Sequence, residues 1–600
     1  MPKVDLRSTL LTSAALALLF AVWYARLTAT DVQFGDGPEL TLAAATNGVA
    51  HPPGYPLWIV LAHAFTLLPF GTIPFRVGLF SALCHALTVG FVCAGGILLT
   101  RNLFAGLFAG TVLGATPLFV TWSLQPEVFP LNDLLTAAIT LCVLLLITQT
   151  GRWWLFVVSC ALLGLGLANQ QTIVAFLPLL LYVLWYKRWE LPPRAQRFTI
   201  GLLAVASLLL GFLVPYAHTL LASQRALPWP YQTAHNLGQL FALITRKEFG
   251  AGNLVPSAAL QGGTFADRLR VTAVALWPLW PVVVLGAILT DNMKLRLWIP
   301  AIWGAAVAIA FAAVANINVQ SDLLASVFMR FMLQPLVMLA PWAALALSGC
   351  LRLLQKRPRL ASIAGGTLCA IVLVAGLASA QTLSLRGRHD VRTFVNDVFA
   401  TVPHGATLLV WDDLYFGTIP YFQNVEGLRP DVTFVVIPLL FHHATPDYAA
   451  MLEQRGLALD DVADTTSGVD ARDALARANP SRTLYVGGWG PITDPAAYAV
   501  AKMGLTGVLS KHASAPELAA LYRRSAAVMS APGYGEVTID PATTRGWGIA
   551  LAGQYGMAFF SMGNYAKSIG DKAAAHAWYT RALHFMPDDP TIKSALQSLP

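Results

Sequence analysis

Apolar and polar positions fall in long alternating blocks along this chain. From Leu10 to about Ala380, runs of about 17–24 apolar residues are separated by short polar loops. Helices of that length span a bilayer. The pattern predicts about eleven transmembrane helices, at 10–27, 77–99, 103–122, 128–148, 153–168, 172–187, 199–221, 271–290, 297–317, 327–348 and 360–381. The first run lacks a clear small-x-small cleavage site and is expected to stay as an uncleaved span. One further apolar piece, 55–69, is short for a crossing, which needs about 20 residues. Charge decides its status. If it does not cross, the basic loops at Lys3/Arg7, Arg101, Arg152, Lys187/Arg188/Arg194/Arg197, Lys294/Arg296 and Arg352/Lys356/Arg357/Arg359 all lie on the cytoplasmic side. If it crosses, every basic loop after it moves outside, against the positive-inside rule. The piece is therefore predicted to be a re-entrant or interfacial helix, entered by a sharp Pro52-Pro53-Gly54 turn. The N-terminus is then cytoplasmic. The loops 28–76, 123–127 and 222–270 lie on the outer face with the tail, from about 382 to 600.

The tail changes pattern. Short apolar runs at 406–412, 432–438 and 483–489 read as strands, with helix-like stretches between them. Residues 382–545 are thus expected to form an α/β domain. Two amphipathic helices over 555–595, rich in small and aromatic residues and ending in Pro, resemble one tetratricopeptide-type unit within a segment 546–600. A single unit cannot bury its own face, so it must pack on the α/β domain or on a partner. The expected organisation is a membrane domain over 1–381, the α/β domain and this helical segment.

Composition agrees with a membrane protein. The chain is 56% hydrophobic and 12% charged, about half the charge of a soluble protein, with mean hydropathy +0.60. Its net charge of +8 resides in short loops between spans, which is a topology signal and excludes a nucleic-acid reading. The six cysteines all lie in or beside apolar runs, so the tail has neither a disulfide framework nor zinc-ligand spacing.

Candidate chemistry gathers on the outer face. The stretch DVQFGDGPEL puts Asp36 and Glu39 in the first outer loop. If 38–47 is a short helix, Pro38 suits its first turn and Asp36 lies just ahead. One of the acids is then a general base, or the pair is a cap and a solvated acid. Glu127 occupies the second outer turn, and Asn132 and Asp133 open the next span. A carboxylate inside a span is costly and points to function, unless it snorkels to the interface. Asn169-Gln170-Gln171 at another outer turn either bind a hydroxylated ligand or cap helices. Arg246 and Lys247 lie beside Phe241, Leu243 and Ile244, as on an interfacial helix that anchors to the surface or holds a lipid phosphate. Arg330, at the outer end of a span, is an anchor or a phosphate ligand. His85 and His218 read as packed, hydrogen-bonded residues, and Gly164-Leu-Gly166 as helix packing. Asp412 and Asp413 end a strand, where α/β domains often bind ligands, although paired loop acids are usually solvated.

GDGPEL, GVAHPPGYPLW, PEVFPLND, ANQQTIV, ITRKEFG and RFMLQP, in that order, resemble a bacterial membrane family. It is related to the animal protein O-mannosyltransferase that modifies plexin-type extracellular domains. The tail stretch 405–432 is also similar, so the resemblance extends to about residue 440. Gln170-Gln171 depart from it, standing where two histidines are expected.

The resemblance implies a polytopic GT-C-type glycosyltransferase that takes a sugar from a polyprenyl-phosphate donor on the outer face. Asp36 then matches the catalytic base, with Glu39 in reserve. Glu127 lies near donor or acceptor sugar, and Arg330, Arg246 and Lys247 are candidate ligands of the donor phosphate. His51, Tyr55, Asn132, Asp133, Asn169 and Gln170 complete the candidate donor or acceptor site. The acceptor is a hydroxyl of a protein or envelope glycan, the sugar plausibly mannose. No cofactor is required, with room left for a divalent metal. The expected location is the bacterial inner membrane, with the tail periplasmic. The alternative class is a polyprenyl-lipid transporter or flippase, or an assembly scaffold. A transporter calls for internal repeats and broken helices at the midplane, which the sequence does not display.

Overall fold

A computed structural model describes residues 5–247, 262–290, 293–441, 445–460, 462, 465, 467–488, 499–510, 514–539 and 546–599. The chain folds as two compact units, one of Met1–Thr30, Asn47–Gln224 and Ala234–Gly387, the other of Asp31–Thr46, Arg225–Thr233 and Arg388–Pro600.

The first unit is a multi-pass helical bundle. Among the described residues, seven helices are long and apolar enough to cross a membrane: Leu6–Leu27, Ile73–Thr100, Phe129–Thr148, Arg194–Ser223, Leu295–Val314, Leu333–Arg352 and Pro358–Gln381. Two bent pairs raise the number to nine, Leu103–Ala115 with Pro117–Ser123 at 66° and Phe265–Ala275 with Leu279–Leu289 at 77°. Proline causes both breaks. Pro117 and Pro278 have no N–H for a helical bond and crowd the turn before them, so the runs expected as straight spans at 103–122 and 271–290 are bent. The runs at 153–168 and 172–187 form the shorter helices Trp154–Leu167 and Gln171–Tyr186. The expected span at 327–348 is also divided. Asp322–Arg330 is a separate helix, and the long apolar helix starts at Leu333.

Pro56–Thr66 is an 11-residue helix. At 1.5 Å per residue it is about half as long as a bilayer core is thick, which suits the non-crossing role expected of 55–69. Small residues set the closest helix approaches. A Cβ at Gly164 would lie 2.1 Å from the Leu208 carbonyl oxygen, so Trp154–Leu167 meets Arg194–Ser223 only because this position is glycine.

The second unit holds a five-stranded sheet: β1 (Thr407–Val410), β2 (Thr433–Val436), β3 (Leu484–Gly487), β4 (Ala499–Lys502) and β5 (Thr506–Ser510). Its order is β2-β1-β3-β5-β4. Strand β1 lies between β2 and β3 and is parallel to both, with Thr407 opposite Thr433 and Leu484. Strands β3, β5 and β4 are antiparallel. Every residue of β1 and β2 is buried, as a parallel core covered on both faces requires.

Three helices follow, Trp547–Ser568, Lys572–Phe585 and Pro590–Gln597. Phe394, Tyr415, Tyr555, Phe559 and Trp578 share one core, so these helices pack on the α/β domain as a lone repeat unit must. That core also contains Phe34 and Leu42 from the first loop and Trp229 and Tyr231 from a later one. The expected division at 381/382 therefore falls at 387/388 instead, and two loop segments assigned to the membrane domain fold with the tail.

Burial pushes the Asp397 carboxyl up from 3.8 to about 6, although it accepts hydrogen bonds from the Tyr555 hydroxyl at 2.6 Å and the Gly535 amide at 2.8 Å. The folded pKa exceeds the unfolded one. The group's full contribution to stability is thus present below about pH 4 and is lost as pH rises through 6. The shift corresponds to about 3 kcal/mol. Hydrogen exchange in β1, corrected for its intrinsic rate, is expected to show the tail loosening between pH 4 and 6, and Asp397→Asn should flatten that step.

Candidate active site

The two candidate acids lie in the second unit. Residues Gly37–Thr46 form the short helix expected near 38–47, with Glu39 in its first turn. The Asp36 carbonyl accepts the Leu40 amide at 2.9 Å, so Asp36 occupies the residue just ahead of the helix. The N-terminal end of a helix favours negative charge. Gly35 enters at φ +102°, a left-handed conformation suited to glycine, and lies against Trp547. Asp36 is half-buried, whereas Glu39 is buried and its Oε1 accepts a hydrogen bond from the Tyr231 hydroxyl. Neither acid is the freely solvated side chain of the structural alternative.

The membrane unit contains a belt of buried polar groups. Glu127 is 1% exposed. Its backbone carbonyl accepts from Trp58 Nε1 at 2.7 Å, and its amide donates to Ser81 Oγ at 3.1 Å. One carboxylate oxygen accepts the Val128 amide at 3.1 Å, and the other faces Arg330 Nη1 at 3.4 Å. The Arg330 guanidinium lies over the rings of Phe129 and Trp122, 5.4 and 5.9 Å from their centroids. It ends the helix Asp322–Arg330 ahead of the long apolar helix, not within that span.

Asn132 Nδ2 donates to Gln334 Oε1 at 3.4 Å, and Asn169 Nδ2 to the Val128 carbonyl at 3.1 Å. Asp133 is fully buried and bonds His85 Nε2 at 3.0 Å, while His85 Nδ1 meets Ser123 Oγ at 2.7 Å. Asp133 does not snorkel, and His85 is the packed histidine its sequence context suggests. The side-chain oxygens of Asn132 and Asn169, and Oδ1 of Asp133, are buried without a hydrogen-bond partner among the described residues.

The HPPGYPL loop docks beside this belt through Trp58. Tyr216 donates to the Pro53 carbonyl at 3.0 Å, and His51 Nε2 lies 3.3 Å from the Tyr55 hydroxyl. Tyr55 is held at φ 43°, an uncommon conformation for a non-glycine residue. Leu243 packs on Gly54, and the Gln171 side-chain amide donates to the Ile244 carbonyl at 2.6 Å. The HPPGYPL loop, the Asn169-Gln170-Gln171 turn and the helix Leu237–Ile244 thus come together. Arg246 and Lys247 follow that helix in a turn and are not carried on its face. The remaining Glu248-Phe249-Gly250 of the RKEFG motif lie outside the described residues.

Sequence reasoning missed Tyr231, Trp58, Ser81 and Gln334. Each is joined to a candidate residue over a long separation, 192 positions for Tyr231 and Glu39, and none has a local signature. Of the two tail acids, Asp413 is exposed, as the solvated reading expects, and Asp412 is not. Asp412 accepts the Leu414 amide at 3.1 Å and Gln554 Nε2 at 3.1 Å, and burial pushes its carboxyl up to about 6. Among the described residues, no three His, Cys, Asp or Glu side chains gather as metal ligands would. An apolar groove of about 540 Å³ opens on the membrane unit, lined by Leu269, Leu276, Trp280, Trp298, Ile302 and Leu339.

These features define a multi-pass helical membrane protein with buried polar side chains among its helices and an appended α/β domain. Residues 36–192 match the family model described as the protein O-mannosyl-transferase TMEM260 N-terminal domain. The chain is 28% identical to the mouse (Mus musculus) protein O-mannosyl-transferase TMEM260 over 458 residues, 72% of this chain and 62% of that protein. It is 22% identical to the Dictyostelium discoideum protein O-mannosyl-transferase tmem260 over 540 residues, 80% of this chain and 64% of that protein. The chain is related to this O-mannosyltransferase family, and it spans less than two thirds of the length of these curated relatives. Among solved structures it is similar to ArnT from Cupriavidus metallidurans bound to undecaprenyl phosphate, with TM-score 0.49 and 14% identity over 85% of this chain and 99% of that one. The apo form of the same protein gives TM-score 0.48 and 12% identity, over 84% and 97%.

Proposed function

We propose that this protein is an inverting GT-C-type glycosyltransferase of the bacterial inner membrane, with its tail periplasmic. It moves a sugar, plausibly mannose, from a polyprenyl-phosphate donor to a hydroxyl of a protein or envelope glycan on the outer face. Asp36 takes the acceptor's hydroxyl proton. The acceptor oxygen bonds to the anomeric carbon as the bond from that carbon to the phosphate oxygen breaks. Polyprenyl phosphate departs, and the anomeric configuration inverts. A positioned base contributes about 10²–10⁴-fold to such a step.

The observation that carries this reading is the segment at the start of the family match, a half-buried Asp36 at a helix N-terminus in a chain related to protein O-mannosyltransferases. Asp36 is preferred over Glu39 because Glu39 is buried against Tyr231. Arg330, Arg246 and Lys247 are the proposed ligands of the leaving phosphate, whose charge is best stabilised by preorganised donors. The apolar groove of the membrane unit suits part of a polyprenyl chain. With a monophosphate leaving group and these cations, the reaction requires no metal.

Incubating the purified protein with radiolabelled polyprenyl-phosphate mannose and a mixture of envelope proteins and glycolipids tests the proposal. Label is expected in one acceptor class. No transfer from that donor, together with transfer from another polyprenyl-phosphate sugar, would replace mannose. Movement of intact donor across vesicle membranes without any transfer would replace the enzyme reading with a transporter.

A further inference from the structure

The second unit contains an ion-pair cluster built on Asp31, five residues before Asp36. Arg392, on the helix Asp390–Thr401, spreads its guanidinium between two carboxylates. Its Nε and Nη2 donate to Asp31 at 2.6 and 3.0 Å, and its Nη1 and Nη2 donate to Glu426 at 2.6 and 2.8 Å. Phe422 lies under the guanidinium at 4.9 Å. Tyr421 donates its hydroxyl to Glu426 at 3.0 Å. Asp31 is 2% exposed, and it also accepts the Val32 amide at 2.9 Å and faces His389 Nδ1 at 3.1 Å. Forked, charge-assisted bonds of this kind fix geometry as well as adding energy.

The cluster holds one end of the segment that carries Asp36. Beyond it, Gln33 Nε2 donates to the Arg388 carbonyl at 3.4 Å, and Phe34 lies edge-on to Phe394 and stacked on Trp547. A Cβ at Gly417 would lie 3.3 Å from the Gly35 carbonyl oxygen, so this stretch runs close against the turn after Asp413–Phe416. On the far side of Asp36, Tyr231 holds Glu39. The segment 31–39 is therefore held by the tail ahead of the candidate base and by Tyr231, of the loop 225–233, beyond it.

We infer that Arg392, with Asp31 and Glu426, is a positioning residue of the transfer reaction, and that holding the carboxylate segment in register is a function of the tail. This rests on the proposed role of Asp36. A base must stand within hydrogen-bond reach of the proton it takes, and a displacement of about 1 Å costs on the order of 10²-fold. Losing the fork lowers kcat and leaves the donor KM nearly unchanged, because the bonds lost are those of Arg392 to Asp31 and Glu426 within the protein.

The test compares full-length wild type with Arg392→Ala in detergent, by transfer kinetics and by hydrogen exchange over residues 31–46. Exchange should rise in the variant, and kcat should fall about 10–100-fold. Millimolar guanidinium should restore both, and the same concentration of sodium should restore neither. Arg392 is one-third exposed, so a small cation can enter the space its side chain leaves. Arg392→Lys, which keeps the charge without the fork, should fall between the two and serves if the alanine variant does not fold. Unchanged exchange over 31–46, or a kcat equal to wild type, overturns the inference. If wild type itself transfers nothing, the proposed donor chemistry fails, while the exchange experiment with guanidinium still decides whether Arg392 holds the segment.

Discussion

Asp36→Asn is expected to lower kcat by about 10²–10⁴-fold while leaving the fold and the donor KM nearly unchanged. The substitution is isosteric, and asparagine is as good ahead of a helix as aspartate. The Leu40 amide bonds the backbone carbonyl of this residue, so that bond survives. The asparagine side chain loses the negative charge and, with it, the ability to accept a proton at neutral pH. Glu39→Gln is the informative control, because its side-chain oxygen can still accept the Tyr231 hydroxyl. Its effect should be smaller. Steady-state transfer by the two variants assigns the base. Full activity of Asp36→Asn would remove Asp36 from the role, and loss confined to Glu39→Gln would transfer it to Glu39.

Much of the membrane unit was legible because one physical signal dominates it. A span needs a long apolar run, and the short helix Pro56–Thr66 could be read from a run too short to be one. The bends at Pro117 and Pro278 were present as prolines but lay within continuous apolar runs, which hydropathy alone reads as straight. Strands β1, β2 and β3 were visible as apolar blocks. Strands β4 and β5 were not, since AVAK and TGVLS are short and weakly patterned.

The site was legible as residue types and not as an assembly. Asp36, Glu39, Glu127 and Arg330 could be chosen as charges at the outer ends of apolar spans, and the family resemblance supplied their roles. Pairings such as Tyr231 with Glu39 could not, since long-range contacts leave no periodicity. A usable signal was nevertheless present in the first loop. Phe34 and Leu42 are apolar residues in a loop assigned to solvent, and such residues need cover. The tail supplies it, which is why 31–46 folds with residues more than 350 positions away, as Asp31 does with Arg392.

Arg330→Met is expected to destabilise the protein by about 3 kcal/mol, because it leaves the Glu127 carboxylate buried without its cation. The Val128 amide remains as a partner, and the 3.4 Å separation from Arg330 is long for an ion pair, so the loss should lie at the low end of the range for such pairs. Glu127→Gln combined with Arg330→Met removes both charges. A glutamine can still accept the Val128 amide, and methionine packs where the guanidinium lay over Phe129 and Trp122. Thermal unfolding of the double variant should therefore recover most of the lost stability. Transfer should not recover with it. If Arg330 serves the departing phosphate, the double variant stays folded and loses activity by on the order of 10²-fold or more. A stable double variant with wild-type turnover would make the pair a structural one, and would leave Arg246 and Lys247 as the cations facing the donor.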